Sequence, residues 1–98
     1  MKRKTSNELS LKEAMDRMVD KKGLRRGIDQ LEVEAAWDKV FTGLIAKHTN
    51  SITLSRGKLT VKVDSAPLRQ ELSYMRVDMV SKLNEALGRE LIEEIVLR

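Results

Sequence analysis

Apolar and polar residues alternate over residues 51–64. Ile52 and Leu54 precede Arg56-Gly57, and the apolar residues that follow are Leu59, Val61 and Val63. This period of two is typical of strands with one buried face. Because glycine supplies the positive φ of a tight turn, we predict a β-hairpin that turns at Arg56-Gly57.

The hydrophobic period lengthens to that of a helix after the hairpin. Asp64 or Ser65 can cap the first free amide groups, Pro67 fits the first turn, and Gly88 is typical of a left-handed helix end. One face carries the apolar residues Leu68, Leu72, Met75, Met79, Leu83, Ala86 and Leu87. We predict one continuous helix here, the longest of the chain, on which the other elements pack.

Two further helices are predicted before the hairpin. The first begins with a capping box at Ser10–Glu13 and ends at Lys21-Lys22-Gly23. A bend is expected over Leu24–Gly27, which has glycine on both sides. The second helix starts at Asp29, or at Gly27 before it, and runs to about Thr42, with a further turn through Lys47. Its apolar residues are Leu31, Ala35, Ala36, Val40, Phe41, Leu44 and Ile45.

Residues 91–98 are rich in β-branched residues and alternate loosely, so they predict a third strand. The predicted fold is therefore α+β and KH-like, in the order helix-helix-strand-strand-helix-strand, with a three-stranded sheet covered on one face by helices. A chain of 98 residues supports one core. We assign residues 1–9 to a flexible basic arm and residues 10–98 to a single domain.

Positive charge is concentrated in the N-terminal part and the hairpin. Residues 1–26 carry nine basic and four acidic side chains, and residues 51–64 carry three and one. Such a bias suits a nucleic-acid backbone or an acidic protein surface, although a solvated surface explains it equally well. The candidate nucleic-acid contacts are Lys2, Arg3, Lys4, Lys21, Lys22, Arg25, Arg26, Arg56, Lys58 and Lys62.

Three residues are candidates for contact with a protein partner. Trp37 is the only tryptophan; it fills the core in one interpretation and is a half-exposed interface anchor in the other. Arg69 and Arg76 are seven residues apart at the border of the apolar stripe, where their stems can pack while the guanidinium groups stay in water.

No constellation of residues indicates catalysis, a metal site, a cofactor or a small-molecule substrate. A lone His48 has no second histidine or cysteine at ligand spacing, and the serines Ser10 and Ser65 are explained as helix starts. The chain has no cysteine, no apolar run after its charged start, and no segment apolar enough to span a membrane. We therefore expect a cytoplasmic binding protein.

Three blocks of the sequence resemble the DciA-like family. They are Trp37–Thr49, with Val40, Gly43, Ala46 and His48; Leu59–Leu72, with Val61, Val63, Ser65, Leu68, Arg69 and Glu71; and Leu83-Asn84 with Gly88 and Ile92. Members of this family are bacterial helicase operators that assist loading of the replicative DnaB helicase. The resemblance implies a KH-like domain that contacts this helicase, has affinity for single-stranded DNA, and is associated with the nucleoid.

Two hypotheses about function follow. In the first, the chain is an adaptor that binds the replicative helicase through Trp37, Arg69 and Arg76, with weak contact to single-stranded DNA. In the second, it is a general module for single-stranded DNA or RNA that tracks phosphates with its basic residues. The predicted hairpin has no aromatic side chain for base stacking, and this favours the adaptor.

Overall fold

A computed structural model of the chain describes residues 21–98, with side chains from Gly23 onward. Its elements are α1 (Lys21–Val40), α2 (Leu44–His48), β1 (Thr49–Ser55), β2 (Lys58–Val63), α3 (Ala66–Ser73), α4 (Arg76–Leu87) and β3 (Glu94–Leu97). This confirms the α+β class, in an arrangement consistent with a KH-like fold. The predicted arm and residues 10–20 of the first predicted helix lie outside the described residues.

The sheet has three strands in the order β1-β2-β3. The hairpin prediction is confirmed: β1 and β2 pair antiparallel, and β1 ends at Ser55 and β2 begins at Lys58. Arg56 and Gly57 between them have φ values of 52° and 81°, and positive φ at both central residues matches the twist of the two strands. β3 pairs parallel to β2, with Thr60 beside Val96, so α3 and α4 form a crossover between the two strands.

Helices cover one face of the sheet. The odd-numbered residues of β2 are buried and Lys58 and Lys62 are exposed, as a period of two requires. The core is formed by Val33, Ala36, Trp37, Phe41, Leu59, Val61, Val63, Leu72, Met79, Leu83, Ile92 and Ile95. On the opposite face, Ser51, Thr53 and Ser55 of β1 are exposed.

The predicted bend at Leu24–Gly27 is wrong, because α1 continues through both Gly23 and Gly27. A glycine inside a helix costs only about 1 kcal/mol relative to alanine. One turn later, Arg25 Nε lies 3.1 Å from Asp29 Oδ1, an i,i+4 ion pair that supports the helix at this point.

The buried face of α1 also differs from the prediction. Leu31 is 67% exposed and Ala35 is exposed, whereas Val33 is fully buried. The helical period was correct, but its phase was wrong, since the position of the sheet decides which apolar stripe is covered. The inner face consists of Val33, Ala36, Trp37 and Phe41.

The predicted long helix is two helices, separated at Tyr74 and Met75. Ser65 caps α3 as predicted, because its Oγ accepts a hydrogen bond from Leu68 N at 3.3 Å. The helix tightens at its end, where Tyr74 N donates to Glu71 O and Met75 N to Leu72 O. As a result Met75 is 39% exposed rather than buried, while Gly88 ends α4 at the predicted left-handed φ of 76°.

A single side chain closes the outer edge of β1. Gln30 Nε2 donates to Ile52 O at 2.9 Å, and Gln30 Oε1 accepts from Leu54 N at 2.8 Å. The amide group thus pairs with the strand as a neighbouring strand would. This contact fixes α1 on the sheet and leaves β3 as the other edge.

Asn84 holds the segment that leads from α4 into β3. Its Nδ2 donates to Ile92 O at 2.8 Å, and its Oδ1 accepts from Leu91 N and Ile92 N at 3.1 and 2.9 Å. These three bonds satisfy backbone groups in a segment without regular structure. They therefore hold Leu91 and Ile92 just before β3 begins at Glu94.

Candidate partner and nucleic-acid interfaces

Arg69 and Arg76 lie on one surface depression although they belong to different helices. The depression has a volume of about 430 Å³, and Val96 and Leu97 of β3 form its opposite wall. Arg69 is half-buried and its Nη1 donates to Val63 O at 3.2 Å, whereas Arg76 is exposed and its Nε donates to Ser73 O at 3.2 Å. We call this surface the Arg69–Arg76 depression.

Two further depressions continue from Arg76 beside β3. The nearer has a volume of about 350 Å³ and is lined by Arg76, Val77, Val80 and residues 93–95. The farther, of about 720 Å³, lies between α4 and the segment that leads into β3. Val77 is 83% exposed. Each depression shares lining residues with the next, and we call the three together the β3 groove.

The ends of the β3 groove carry opposite charges. Arg69 and Arg76 lie at the end near Leu97. The other end is lined by three carboxylates, those of Glu85, Glu90 and Glu93. The middle of the groove combines the apolar Val77, Val80 and Ile95 with charged residues, so a polypeptide bound there would make apolar contacts and be oriented by charge.

Arg89 also lines the acidic end of the groove, but it forms ion pairs with carboxylates of α1. Its Nη2 donates to Asp29 Oδ1 at 2.8 Å and to Glu32 Oε1 at 3.3 Å. The hydrogen bond to Asp29 raises the pKa of Arg89 above its usual value and outweighs the opposing loss of hydration; the charge of Glu32 acts in the same direction. Arg25 shares both carboxylates, at 3.1 and 3.8 Å, so this predicted nucleic-acid contact is engaged within the fold.

Trp37 is a core residue and not a half-exposed anchor. It is 2% exposed, and its ring centroid lies 4.4 Å from that of Phe41 at an interplanar angle of 54°. Its Nε1 is buried without a hydrogen-bond partner among the described residues. The indole is enclosed because α1 turns this side toward the sheet, and an effect of Trp37 on partner binding would have to act through the core.

The predicted nucleic-acid contacts do not all fall on one described surface. Lys2, Arg3 and Lys4 lie outside the described residues, and for Lys21 and Lys22 only the backbone, in α1, is described. Arg26 is exposed on the same helix. Lys21, Lys22 and Arg26 therefore belong to the N-terminal half of α1, at a distance along the chain from the hairpin.

The hairpin carries the other three candidates, Arg56, Lys58 and Lys62, all exposed. Arg56 is at the turn, and Lys58 is in register with Glu94 of β3, which offsets part of its charge. Lys62 lies near the far end of β2. Lys62 therefore lies at the opposite end of β2 from Arg56 and Lys58.

Sequence reasoning missed Arg98, which is exposed at the end of β3. Its N donates to Val61 O and its O accepts from Val63 N, both at 2.8 Å. It therefore extends the ladder past Leu97 and stands beside the end of β2, near Lys62. The pairing of β3 parallel to β2 could have indicated this position, since parallel strands end at the same side of a sheet.

His48 has a structural explanation. Its Nδ1 lies 2.6 Å from Asp64 Oδ1, and Asp64 N donates to His48 O at 3.0 Å, so the pair closes the open end of the hairpin. Within residues 21–98, no group of three or more His, Asp or Glu side chains is placed to hold a metal ion. Over the same residues, no helix has the length and apolar character to cross a membrane.

A protein-family model matches most of the chain. The model of the family described as "Dna[CI] antecedent, DciA" matches residues 10–97 of the 98-residue chain. No curated protein and no solved structure matches the chain.

Replacing Trp37 tests its assignment to the core. We expect Trp37→Ala to lower the free energy of unfolding by about 3–5 kcal/mol, because a large buried ring is removed. Val77→Ala, at a position 83% exposed, should change it by less than about 0.5 kcal/mol. Urea denaturation followed by far-ultraviolet circular dichroism measures both, and equal losses for the two variants would contradict the assignment.

Proposed function

Because the chain belongs to the DciA family, we propose that it is a non-enzymatic adaptor in bacterial DNA replication that binds the replicative DnaB helicase and assists its loading. Family membership connects the chain with replication and with this helicase. Loading, the binding surface and weak contact with single-stranded DNA are the further parts of the proposal. The expected location is the cytoplasm, in association with the nucleoid.

The observation that carries the choice of surface is the Arg69–Arg76 depression. Arg69 and Arg76 line it together with the apolar residues Val96 and Leu97 of β3. Arginine next to apolar surface is a frequent source of binding energy at protein interfaces. Arg69 is already held by Val63 O, so less side-chain entropy is lost when it binds a carboxylate. The helicase segment that binds here should combine acidic and apolar side chains.

Trp37 remains in the proposal as a supporting residue. Its indole packs on Phe41 and fixes the inner face of α1, which gives the domain the shape that the helicase recognises. A replacement that keeps the core filled, such as Trp37→Phe, should therefore preserve more binding than Trp37→Ala at an equal folded fraction.

Contact with single-stranded DNA is proposed as secondary. Among the described residues, Tyr74 is the exposed aromatic side chain, at 77%, and it lies between α3 and α4 rather than on the hairpin. Without stacking on the sheet, binding depends on charge and weakens steeply with salt. The alternative function, a general module for single-stranded DNA or RNA, rests on the same exposed cations of the hairpin and α1.

Charge reversal in the depression tests helicase binding. The double variant Arg69→Glu/Arg76→Glu should bind a DnaB-type helicase at least about tenfold more weakly, because truncating charged interface groups costs about 2 kcal/mol or more. Affinity would be measured by biolayer interferometry on purified proteins. Lys39→Glu/Lys82→Glu is the matched control, since both lysines are exposed and the net charge changes equally. If the two double variants bind alike, the depression is not the interface.

The salt dependence of DNA binding tests the secondary role. The logarithm of the association constant should fall with the logarithm of salt concentration, and Lys58→Gln/Lys62→Gln should reduce that slope by about 0.7 for each phosphate that a lysine no longer neutralises. Fluorescence anisotropy with labelled DNA and RNA oligonucleotides measures it. Absence of binding at low salt would remove the nucleic-acid role, whereas binding that persists at physiological salt without helicase binding would favour the alternative.

A further inference from the structure

The two edges of the sheet differ in whether their outward backbone groups are hydrogen-bonded. Gln30 occupies the backbone groups at the edge of β1. On β3, Glu94 N bonds to Gly57 O and Arg98 bonds to β2 through both its N and its O. Neighbouring residues of a strand turn their backbone groups to opposite sides, so the N–H and C=O groups of Ile95 and Leu97 point away from β2. In the described part of the chain, no side chain bonds to them.

An uncapped edge is a template for a further strand, and the sequence of β3 is complementary to itself. In an antiparallel pair of β3 strands centred on Val96, Ile95 of one copy lies opposite Leu97 of the other. Both turn their N–H and C=O groups outward, so the pair exchanges backbone bonds at two places. The same register sets Glu94 opposite Arg98 of the second copy, twice.

The charges of these two residues suit that position. Glu94 and Arg98 are both exposed, and Glu94 already stands beside Lys58 of β2. With Arg98 of a second copy on its other side, Glu94 would lie between two cations. Oppositely charged residues directly across a strand pair are stabilising, and like charges are destabilising. Shifting the register by one pairing step in either direction sets Glu94 or Arg98 opposite the apolar Val96.

The second strand would lie in the β3 groove. Ile95 and Leu97 of the incoming copy would face the same side as their counterparts here, against Val77 and Val80, which line the groove. Ile95 is 2% exposed as a whole residue, so its backbone is covered as well as its side chain, and side chains that line the groove beside it must move before a second strand can pair there. The exposed side chain of Arg76 must rotate away as the strand enters.

We infer that two copies of this chain associate through antiparallel pairing of their β3 strands, centred on Val96, which joins the two sheets into one of six strands. The interface is isologous, so each contact occurs twice. It is small beside the roughly 800 Å² per partner of standard interfaces, and the dimer is accordingly weak. The inference does not rest on helicase binding. Because Arg76 and Leu97 border both surfaces, the dimer and the proposed helicase complex would compete.

The first test is a charge exchange followed by sedimentation equilibrium from about 10 µM to 1 mM protein. Glu94→Arg or Arg98→Glu alone sets like charges opposite each other and should weaken association about tenfold. The double variant Glu94→Arg/Arg98→Glu restores opposite charges and should recover most of it. Thermal unfolding of each variant checks that the domain is intact. A native chain that stays monomeric, or a double variant as weak as the single ones, would overturn the proposal.

The second test uses the absence of cysteine in the chain. Val96 lies on the two-fold axis of the proposed pair, so the sulfur atoms in Val96→Cys can meet within the geometry of a disulfide. Thr53→Cys is the control, because β1 is two strands farther out and its copies would be more than about 20 Å apart. Mild oxidation should give covalent dimer with Val96→Cys at least about tenfold faster. Equal rates for the two variants would exclude this pairing.

Discussion

The hydrogen bonds between the side chain of Gln30 and β1 determine both the packing of the domain and its available surface. They hold α1 against the sheet, and α1 brings Val33 and Trp37 into the core. They also occupy one edge of the sheet, so that the edge of β3 is the one at which another backbone can pair. In a chain this small, one side chain therefore connects folding with recognition.

The β3 groove lies beside the edge of the sheet that Gln30 leaves open. The break between α3 and α4 sets Arg69 and Arg76 at one end of it, and Asn84 holds the segment that forms the other end. A continuous helix would have carried the two arginines along a single face at the spacing of two turns. With the break, they converge on Val96 and Leu97, where acidic and apolar groups of another polypeptide can bind together.

The sequence was most informative where the structure depends on residues that are close together along the chain. The hairpin was predicted correctly because alternation and Gly57 are local signals, and the Ser65 cap for the same reason. Burial on α1 was predicted out of phase: Leu31 and Val33 are equally apolar choices until the position of the sheet is known. No proline or glycine stands at Tyr74 to indicate that the helix breaks there. Sequence alone also does not show that Gln30 bonds to a strand more than twenty residues away.

The same division applies to the candidate site. Arg69 and Arg76 were chosen for their spacing and do share a surface, although two helices supply them. Residue type left Trp37 as either a core residue or an interface anchor, and its place in the core follows from the side of α1 that faces the sheet. Arg98 was missed because its position follows from the pairing of β3 with β2, which the sequence alone does not show. Residue type and spacing therefore identified candidates, and packing shows which of the described ones are exposed.

The central claim is that Gln30 closes one edge of the sheet and the other is open. Native-state hydrogen exchange by nuclear magnetic resonance, at a protein concentration low enough to keep the chain monomeric, compares the two edges directly. The account predicts that the amide of Leu97 exchanges at least about tenfold faster than that of Leu54, which bonds to Gln30, and faster than that of Val96, which faces β2. Equal protection of Leu97 and Leu54 would contradict it.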